Sequence, residues 1–481
     1  MLMSPEPQIA GPTAPLYAER VKIYPKRAKG TFRTLKWVVM AVTLGIYYVM
    51  PWLRWDRGTY LPDQAVLIDF PSRRFFFFFI EIWPQEFYYI TGLLVLAALV
   101  LFLVTSLAGR VWCGYTCPQT VWTDLMIAVE RFWQGDRNAR LRLDKHPRSF
   151  ETIWRKSATH FSWLAIAIAT GGAFVFYFAD APTLAGQLLT FDAPLVAYVF
   201  VALFTATTYV LGGIAREQVC IYMCPWPRIQ GAMFDRDSLL ITYREWRGEP
   251  RGPHKHGESW VGRGDCIDCQ QCVAVCPTGV DIRNGPQLEC IQCALCIDAC
   301  NDIMDKVERP RGLIAYDTLR NLEAAGKDEV AIRVWRPRTI LYAAAIAVVG
   351  VIMLAALVLR PNLEMNVLHD RNPLYVRLSD GGVRNGYTVK LLNKQYEPHA
   401  FRVSIAGLPG GTLSVVGLEH QTTPIVTVPP DAVYAMRLYV SLDKAGVAAL
   451  PGEPADFAVV VTDVATGAVT EHSATFQGPE R

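Results

Sequence analysis

The chain has 481 residues, 52% of them hydrophobic, with 47 Lys and Arg against 44 Asp and Glu and a formal net charge of +3. Hydrophobic content that high leans away from an ordinary soluble protein, and a net charge of +3 says little about partners and gives no sign of a polycationic nucleic-acid binder. A membrane is therefore the expected partner, and nucleic acid is not.

Residues 1–36 form a basic leader holding Arg20, Lys22, Lys26, Arg27, Lys29, Arg33 and Lys36. About thirty mostly polar residues precede the first apolar run, which reads as a signal anchor rather than a cleavable signal peptide. Five apolar runs follow, Trp37 to Leu53, Phe87 to Ala108, Ala158 to Phe178, Pro194 to Ile214 and Ile340 to Leu359, each near the length a bilayer requires. Arg110, Arg131, Arg137, Arg140, Arg142, Lys145, Arg148, Arg155 and Lys156 lie between the second and third runs, whereas Ala179 to Asp192 has no Lys or Arg. The positive-inside rule then places the leader and the basic loops in the cytoplasm, and an odd number of spans sends everything after Leu359 to the opposite side, which in a Gram-negative bacterium is the periplasm. The aromatic run Phe75 to Phe79 is too short to span and reads as an interfacial or re-entrant piece on the outer side.

Two apolar runs end in the same device: VWCGYTCPQ places Cys113 and Cys117 before Pro118, and VCIYMCPWP places Cys220 and Cys224 before Pro225. A residue before proline leaves the helical region and proline favours the first helical position, so Cys117 and Cys224 are expected at helix starts, where unpaired amides favour thiolate. After Pro118, the spacing of Val121, Trp122, Leu125, Met126, Val129, Phe132 and Trp133 against Thr123, Asp124, Glu130 and Arg131 predicts an amphipathic helix lying in the interface. Spans one and two with their motif, then three and four with theirs, read as a duplicated unit that brings four sulfurs to one site. Cys113, Cys117, Cys220 and Cys224, with Met223 as helper, are thus candidates for a copper or redox site, for a third iron–sulfur centre, for a dithiol pair or for simple packing. His160 is a candidate haem or metal ligand, set against a structural role.

Arg247 to Gly264, rich in Gly, Pro, Arg and His, reads as a flexible tether in which His254 and His256 are solvated rather than metal-bound. Beyond it come two runs of C-x-x-C-x-x-C-x-x-x-C, Cys266, Cys269, Cys272 and Cys276, then Cys290, Cys293, Cys296 and Cys300. In this bacterial two-cluster spacing three thiolates hold one cubane and the fourth serves the other. Cys266, Cys269, Cys272 and Cys300 are assigned to one [4Fe-4S] cluster, and Cys290, Cys293, Cys296 and Cys276 to a second. A pair of zinc knuckles would leave the third cysteine of each run unexplained.

From Leu374 onward, short alternating segments predict strands over Leu374 to Leu378, Tyr387 to Leu392, Ala400 to Ile405, Thr412 to Val416, Ile425 to Val428, Tyr434 to Val440, Phe457 to Val461 and Ala468 to Phe476. That pattern suggests an immunoglobulin-like sandwich without a cysteine pair. Met365 and His369, four apart, could receive copper, but a plain linker is the expected structure. The fold class is a multidomain membrane protein: leader 1–36, four-span α-helical domain 37–243, linker 244–264, ferredoxin module 265–305, return linker 306–339, fifth helix 340–359 and periplasmic immunoglobulin-like β-sandwich 360–481.

GRVWCGYTCPQTVWTD, REQVCIYMCPWPRIQGAMFD, GDCIDCQQCVAVCPTGVDIRNGPQLECIQCALCIDACNDIMDKV, RPRGLIAYDT and HDRNPLYVRLSDGGVRNGYTVKLLNKQ stand in this order. The series resembles the FixG/CcoG/RdxA family of cytochrome c oxidase accessory proteins over nearly the whole chain. The resemblance implies a bacterial inner-membrane polyferredoxin linked to maturation of the cbb3-type oxidase and its copper centre, reducing cupric to cuprous ion. Its implied partners are oxidase subunits or copper-delivery proteins and a cytoplasmic electron donor or quinol. Two alternatives stand beside it: a quinol-oxidising subunit serving a periplasmic partner, and a non-enzymatic assembly scaffold with redox-sensing clusters.

Overall fold

The computed structural model describes residues 22–58, 61–255, 257–326, 331–360, 363–394, 397–430, 432–450 and 454–478. Arg20, with the rest of the leader's first 21 residues, and His256 lie outside the described residues. The chain divides into two units, Met1–Trp55 with Gln64–Val351, and Asp56–Asp63 with Ile352–Arg481.

Among the described residues five helices are long and apolar enough to cross a membrane: Thr31–Trp52, Pro84–Ala108, Phe150–Val175 and Leu195–Ala215 in the first unit, and Pro337–Val358, at which the division between the units falls. Helix suits such segments because it pairs every backbone polar group internally. The regular part of the first is α1 (Thr31–Val49), which ends where Pro51 tightens the chain into a 3-10 turn. It starts earlier than its apolar run, so the leader's Arg33 and Lys36 lie inside the helix and are buried.

Between α1 and α2 (Tyr88–Ala108), strands β1 (Val66–Asp69), β2 (Arg74–Phe77) and β3 (Ile80–Ile82) form a small antiparallel sheet. The aromatic run is therefore a strand and its turn, not a re-entrant piece. Phe76 is buried, and Arg74 pairs with Glu81 at 3.1 Å while lying 4.1 Å over the Trp83 ring. Ile68 N–H donates to Tyr177 O at 2.8 Å and Gln64 Nε2 to Phe176 O at 2.7 Å, so this sheet and the connection after the third span share one end of the bundle.

At the other end follow α3 (Val111–Tyr115), α4 (Pro118–Gln134) and α5 (Arg137–Lys145), and then α6 (Phe150–Val175) and α7 (Ala181–Thr190) lead to α8 (Leu195–Thr207). Beyond α8 the hydrogen bonding widens to the π form over Thr208–Ala215 and again over Val219–Met223, before α9 (Trp226–Gly231). Helix α4 does not lie flat in the interface with a solvated polar face. It runs along α6, with Trp122 Nε1 donating to Thr170 Oγ1 at 3.2 Å and Gln134 Nε2 to Thr159 Oγ1 at 2.9 Å, and its acidic side is buried. Opposite charges explain the inversion: Asp124 meets Arg33 at 2.9 Å and Lys36 at 3.7 Å, and Glu130 meets Arg140 and Arg216, both at 3.0 Å.

The cysteine-rich region is framed by β4 (Leu240–Tyr243) and β5 (Ile314–Asp317), paired antiparallel from Leu240 opposite Asp317 to Tyr243 opposite Ile314. Between them lie α10 (Glu245–Gly248), α11 (Gln271–Val275) and α12 (Leu295–Lys306), and α13 (Leu319–Glu323) leads on to α14 (Pro337–Val358). The expected tether is instead a docked loop. His254 stacks on Trp260 at 3.8 Å, Arg309 lies 5.0 Å over the same ring, and Gly252 N–H donates to Cys266 O at 3.1 Å.

The second unit is a two-sheet sandwich built from β6 (Leu363–His369), β7 (Val376–Arg377), β8 (Val383–Asn393), β9 (His399–Ala406), β10 (Thr412–Val415), β11 (Ile425–Val428), β12 (Ala432–Leu442), β13 (Ala455–Asp463) and β14 (Val469–Phe476). One sheet runs β10-β12-β8-β6 with β7 also on β8, and the other β11-β9-β13-β14. Tyr387, Val389, Leu391 and Leu438 from the first meet Phe401, Val403, Val459 and Phe476 from the second in one core. A short helix, α15 (Lys444–Ala449), follows β12. Met365 and His369 belong to β6, a strand where a linker was expected, and His369 Nε2 hydrogen-bonds Asn385 Oδ1 at 2.8 Å.

Candidate functional site

Both cysteine runs turn through residues in the left-handed region at matching positions: Asp268 (φ 54°) and Gln270 (φ 53°) in the first, Gln292 (φ 55°) and Ala294 (φ 61°) in the second. Such a conformation costs a non-glycine residue about 1–2 kcal/mol, and its return is geometric, since each C-x-x-C loop curls its sulfurs towards one point. Cys266, Cys269, Cys272 and Cys300 line one hollow. Cys276, Cys290, Cys293 and Cys296 line a second, which Cys272 also edges. Each hollow draws its fourth thiol from the other run.

All twelve cysteines are free thiols. Burial pushes Cys272 up to about 11 and Cys290 and Cys300 up to about 12, so thiolates in these hollows call for a cation among them. Backbone amides favour the charged sulfur: Val280 N–H donates to Cys276 Sγ at 3.3 Å, and those of Gln292, Leu295 and Ile314 serve Cys290, Cys293 and Cys300. Among the described residues, no three Cys, His, Asp or Glu side chains are grouped so as to hold a single metal ion. Two sets of four thiols with amide donors fit iron–sulfur centres, whose ligands sit on separate iron corners, better than zinc knuckles.

At the membrane edge, Cys117 is the cap of α4, with Pro118 as its first residue. Cys224 stands one residue ahead of the corresponding cap, Pro225, and the helix it precedes has only six residues. The two motifs interlock. Arg110 Nη2 donates to Pro227 O at 2.6 Å, Gln119 Nε2 to Leu211 O at 2.8 Å, and Cys113 Sγ to Gln230 Oε1 at 3.2 Å. Cys117, Cys220 and Cys224 are all near enough to Cys113 to oppose its ionisation. Burial pushes both Cys113 and Cys220 up to about 12. Met223 is 63% exposed, and His160 donates to or accepts from Tyr209 Oη at 2.8 Å on the other side of Arg216 and Glu217.

The membrane-edge site adjoins the second hollow. Cys113 and Cys220 share an apolar cluster with Val275, Ile291, Cys293 and Leu295. Arg110 N–H donates to Gln292 Oε1 at 2.7 Å, its guanidinium reaches Leu288 O and Cys290 O, and Tyr115 Oη donates to Cys293 O at 3.3 Å. Gly114 allows this approach, because a Cβ there would lie 2.8 Å from Gln292 O. The three thiol groups thus stand in series. Arg110 is legible in sequence as the basic residue before a motif, but Gln230 and Gln292 carry no such signal, because their partners are remote in the chain.

Comparison with known proteins agrees with this chemistry. A family model described as a 4Fe-4S dicluster domain matches residues 215–319, and one described as a 4Fe-4S binding domain matches residues 90–134. A model of the IG-like fold at the C-terminal of FixG matches residues 353–479. The chain is 55% identical to the nitrogen fixation protein FixG of Rhizobium meliloti, over 89% of this chain and 88% of that one. It is 53% identical to protein RdxB of Cereibacter sphaeroides over 99% of both chains, and 51% identical to protein RdxA of the same organism over 95% of this chain and 93% of that one.

Proposed function

This chain belongs to the FixG/RdxA family, and on that premise we propose that it carries electrons along its three thiol groups to cupric ion and releases cuprous ion for assembly of a cbb3-type oxidase. It is an iron–sulfur electron-transfer protein of the membrane; the copper step and the oxidase are the proposed part. When bound, the [4Fe-4S] clusters supply one-electron steps over a wide range of potential. Cys266, Cys269, Cys272 and Cys300 hold one cluster, and Cys276, Cys290, Cys293 and Cys296 the other.

The observation that carries the proposal is the seating of Cys113 and Cys220 against Ile291 and Cys293. It supports Cys113, Cys117, Cys220 and Cys224 as the exit, where soft sulfur ligands favour cuprous over cupric ion. Each cupric ion takes one electron. The family model over residues 90–134 takes in Cys113 and Cys117 and favours a second reading of that pair, as ligands of a third cluster. The leader and cysteine module face the cytoplasm in this proposal and the sandwich faces the periplasm, in keeping with the basic residues at the module's end of the bundle.

The test is an anaerobic titration of dithionite-reduced, cluster-loaded protein with cupric salt, counting cuprous ion with a chelator. About two cuprous ions per protein are expected from two clusters, and about three if the membrane-edge thiols hold another. Clusters that stay reduced would contradict the proposal.

A further inference from the structure

A cavity of about 400 Å³ opens where the third and fourth spans meet α4, with Glu130, His160, Trp163, Gly213, Arg216 and Glu217 among its lining. That volume lies within the range of small-molecule sites. Trp163 is held rigidly: its Nε1 donates to Met126 O at 2.9 Å, the Arg216 guanidinium lies 5.1 Å over its ring, and a Cβ on Gly213 would come within 2.9 Å of it. Beside it, the His160 ring stands 5.1 Å from Trp163 and hydrogen-bonds Tyr209 Oη at 2.8 Å.

Three features limit the ligand. The polar wall offers the His160 ring, oriented by its hydrogen bond to Tyr209 Oη, beside Lys22, Glu130, Gln134 and Lys156, a set of donors and acceptors suited to hydroxyl or carbonyl groups on a ring. Phe161, Leu164, Val210 and Ile214, on the same two spans, are exposed apolar side chains on helices of membrane-crossing length, so a ligand with an apolar tail is accommodated. Arg216 and Glu217 form a wall with two faces, one lining this cavity and the other lining the narrow gap bordered by Cys220, Thr278 and Ile291. The π-helical stretch Thr208–Ala215 and the left-handed Arg216 (φ 46°) shape that wall, and such irregularities recur at functional sites.

We infer that this cavity binds the head group of a lipid-soluble hydroquinone, the electron donor to the thiol series. The inference rests on the electron-transfer reading above and names its source. A bound hydroquinone gives up two electrons, one at a time, to the iron–sulfur centres as one-electron acceptors. Its two protons leave to His160 and to water at the open mouth, and the quinone departs into the lipid.

The experiment uses full-length, cluster-loaded protein in quinone-free nanodiscs. Photolabelling with an azido-ubiquinone, mapped by mass spectrometry, is expected on α6 and on residues 208–217, and to be competed by decylubiquinone. His160→Phe should lower labelling about tenfold, the effect of one lost hydrogen bond, and Tyr209→Phe should do so to a similar extent by freeing the His160 ring. Re-oxidation of dithionite-reduced protein by decylubiquinone should saturate and slow about tenfold in both variants, with ferricyanide re-oxidation unchanged. Labelling elsewhere, labelling without competition, or wild-type behaviour of both variants would overturn the site. Lost labelling with cuprous ion still formed after dithionite reduction sinks the quinone site alone, and the reverse pattern sinks the copper proposal alone.

Discussion

The eight-cysteine module and the four-cysteine membrane edge use the same residue in opposite ways. In the module, ligands lie close in sequence and left-handed turns at Asp268, Gln270, Gln292 and Ala294 aim them, so most of the geometry is local. At the membrane edge two Cys-x-x-x-Cys segments from separate spans meet only because the bundle brings them together, with Arg110, Gln119 and Gln230 as ties. The comparison teaches that a run of clustered thiols and a meeting of remote thiols are specified at different ranges. The module's assembly should survive damage at the edge, whereas the edge depends on the packing around it.

The sharpest way to break that comparison is to remove one ligand from each side. Cys276→Ser should lower iron content by about half, whereas Cys113→Ser should leave the module's iron in place, both read from iron-to-protein ratios and visible absorbance. Equal losses would contradict a locally built module. Next in size is Asp124→Asn, which strands Arg33 and Lys36 in a buried place and should cost about 3–5 kcal/mol in thermal or denaturant unfolding. Burial alone would raise the Asp124 carboxyl, but Lys36 and Arg33 overcome it and hold it below the usual carboxylate range. With a folded value below the unfolded one, this contribution is present above about pH 4 and lost as pH falls through the folded value, so the variant should flatten the acid limb of stability.

Gly114→Val brings a Cβ within 2.8 Å of Gln292 O and should cost about 1–3 kcal/mol through overpacking at the joint. Clusters should remain, while copper-driven re-oxidation slows. A cost of the same size, but confined to the sandwich, is expected from Asn385→Leu. It leaves His369 without its partner and removes the bonds that Asn385 shares with Gln477, costing about 1–3 kcal/mol in the sandwich's unfolding and nothing in iron content.

The sequence made the five apolar spans, the two cysteine runs and most sandwich strands visible because each is a local pattern of hydrophobicity or spacing. Where it misled, a remote partner overrode the pattern. The acidic side of α4 reads as solvated until Arg33, Lys36, Arg140 and Arg216 arrive from other segments. Arg247 to Gly264 reads as a tether until His254 finds Trp260 and the loop bonds to Cys266. Leu363–His369 reads as a linker because its burial comes from pairing with β8, not from its own alternation. The Cys-Pro motifs announced two helix starts, but the contact between Cys113, Cys220 and the second cysteine run lies beyond any local signal.

The central claim is that the membrane-edge thiols are the exit of the series. It is tested most directly with protein carrying Cys113, Cys117, Cys220 and Cys224 all as Ser, reduced anaerobically and mixed with cupric salt in a stopped-flow spectrophotometer. The account predicts a module that keeps its iron and stays reduced on the wild-type timescale. Re-oxidation at the wild-type rate, with the same yield of cuprous ion, would contradict it.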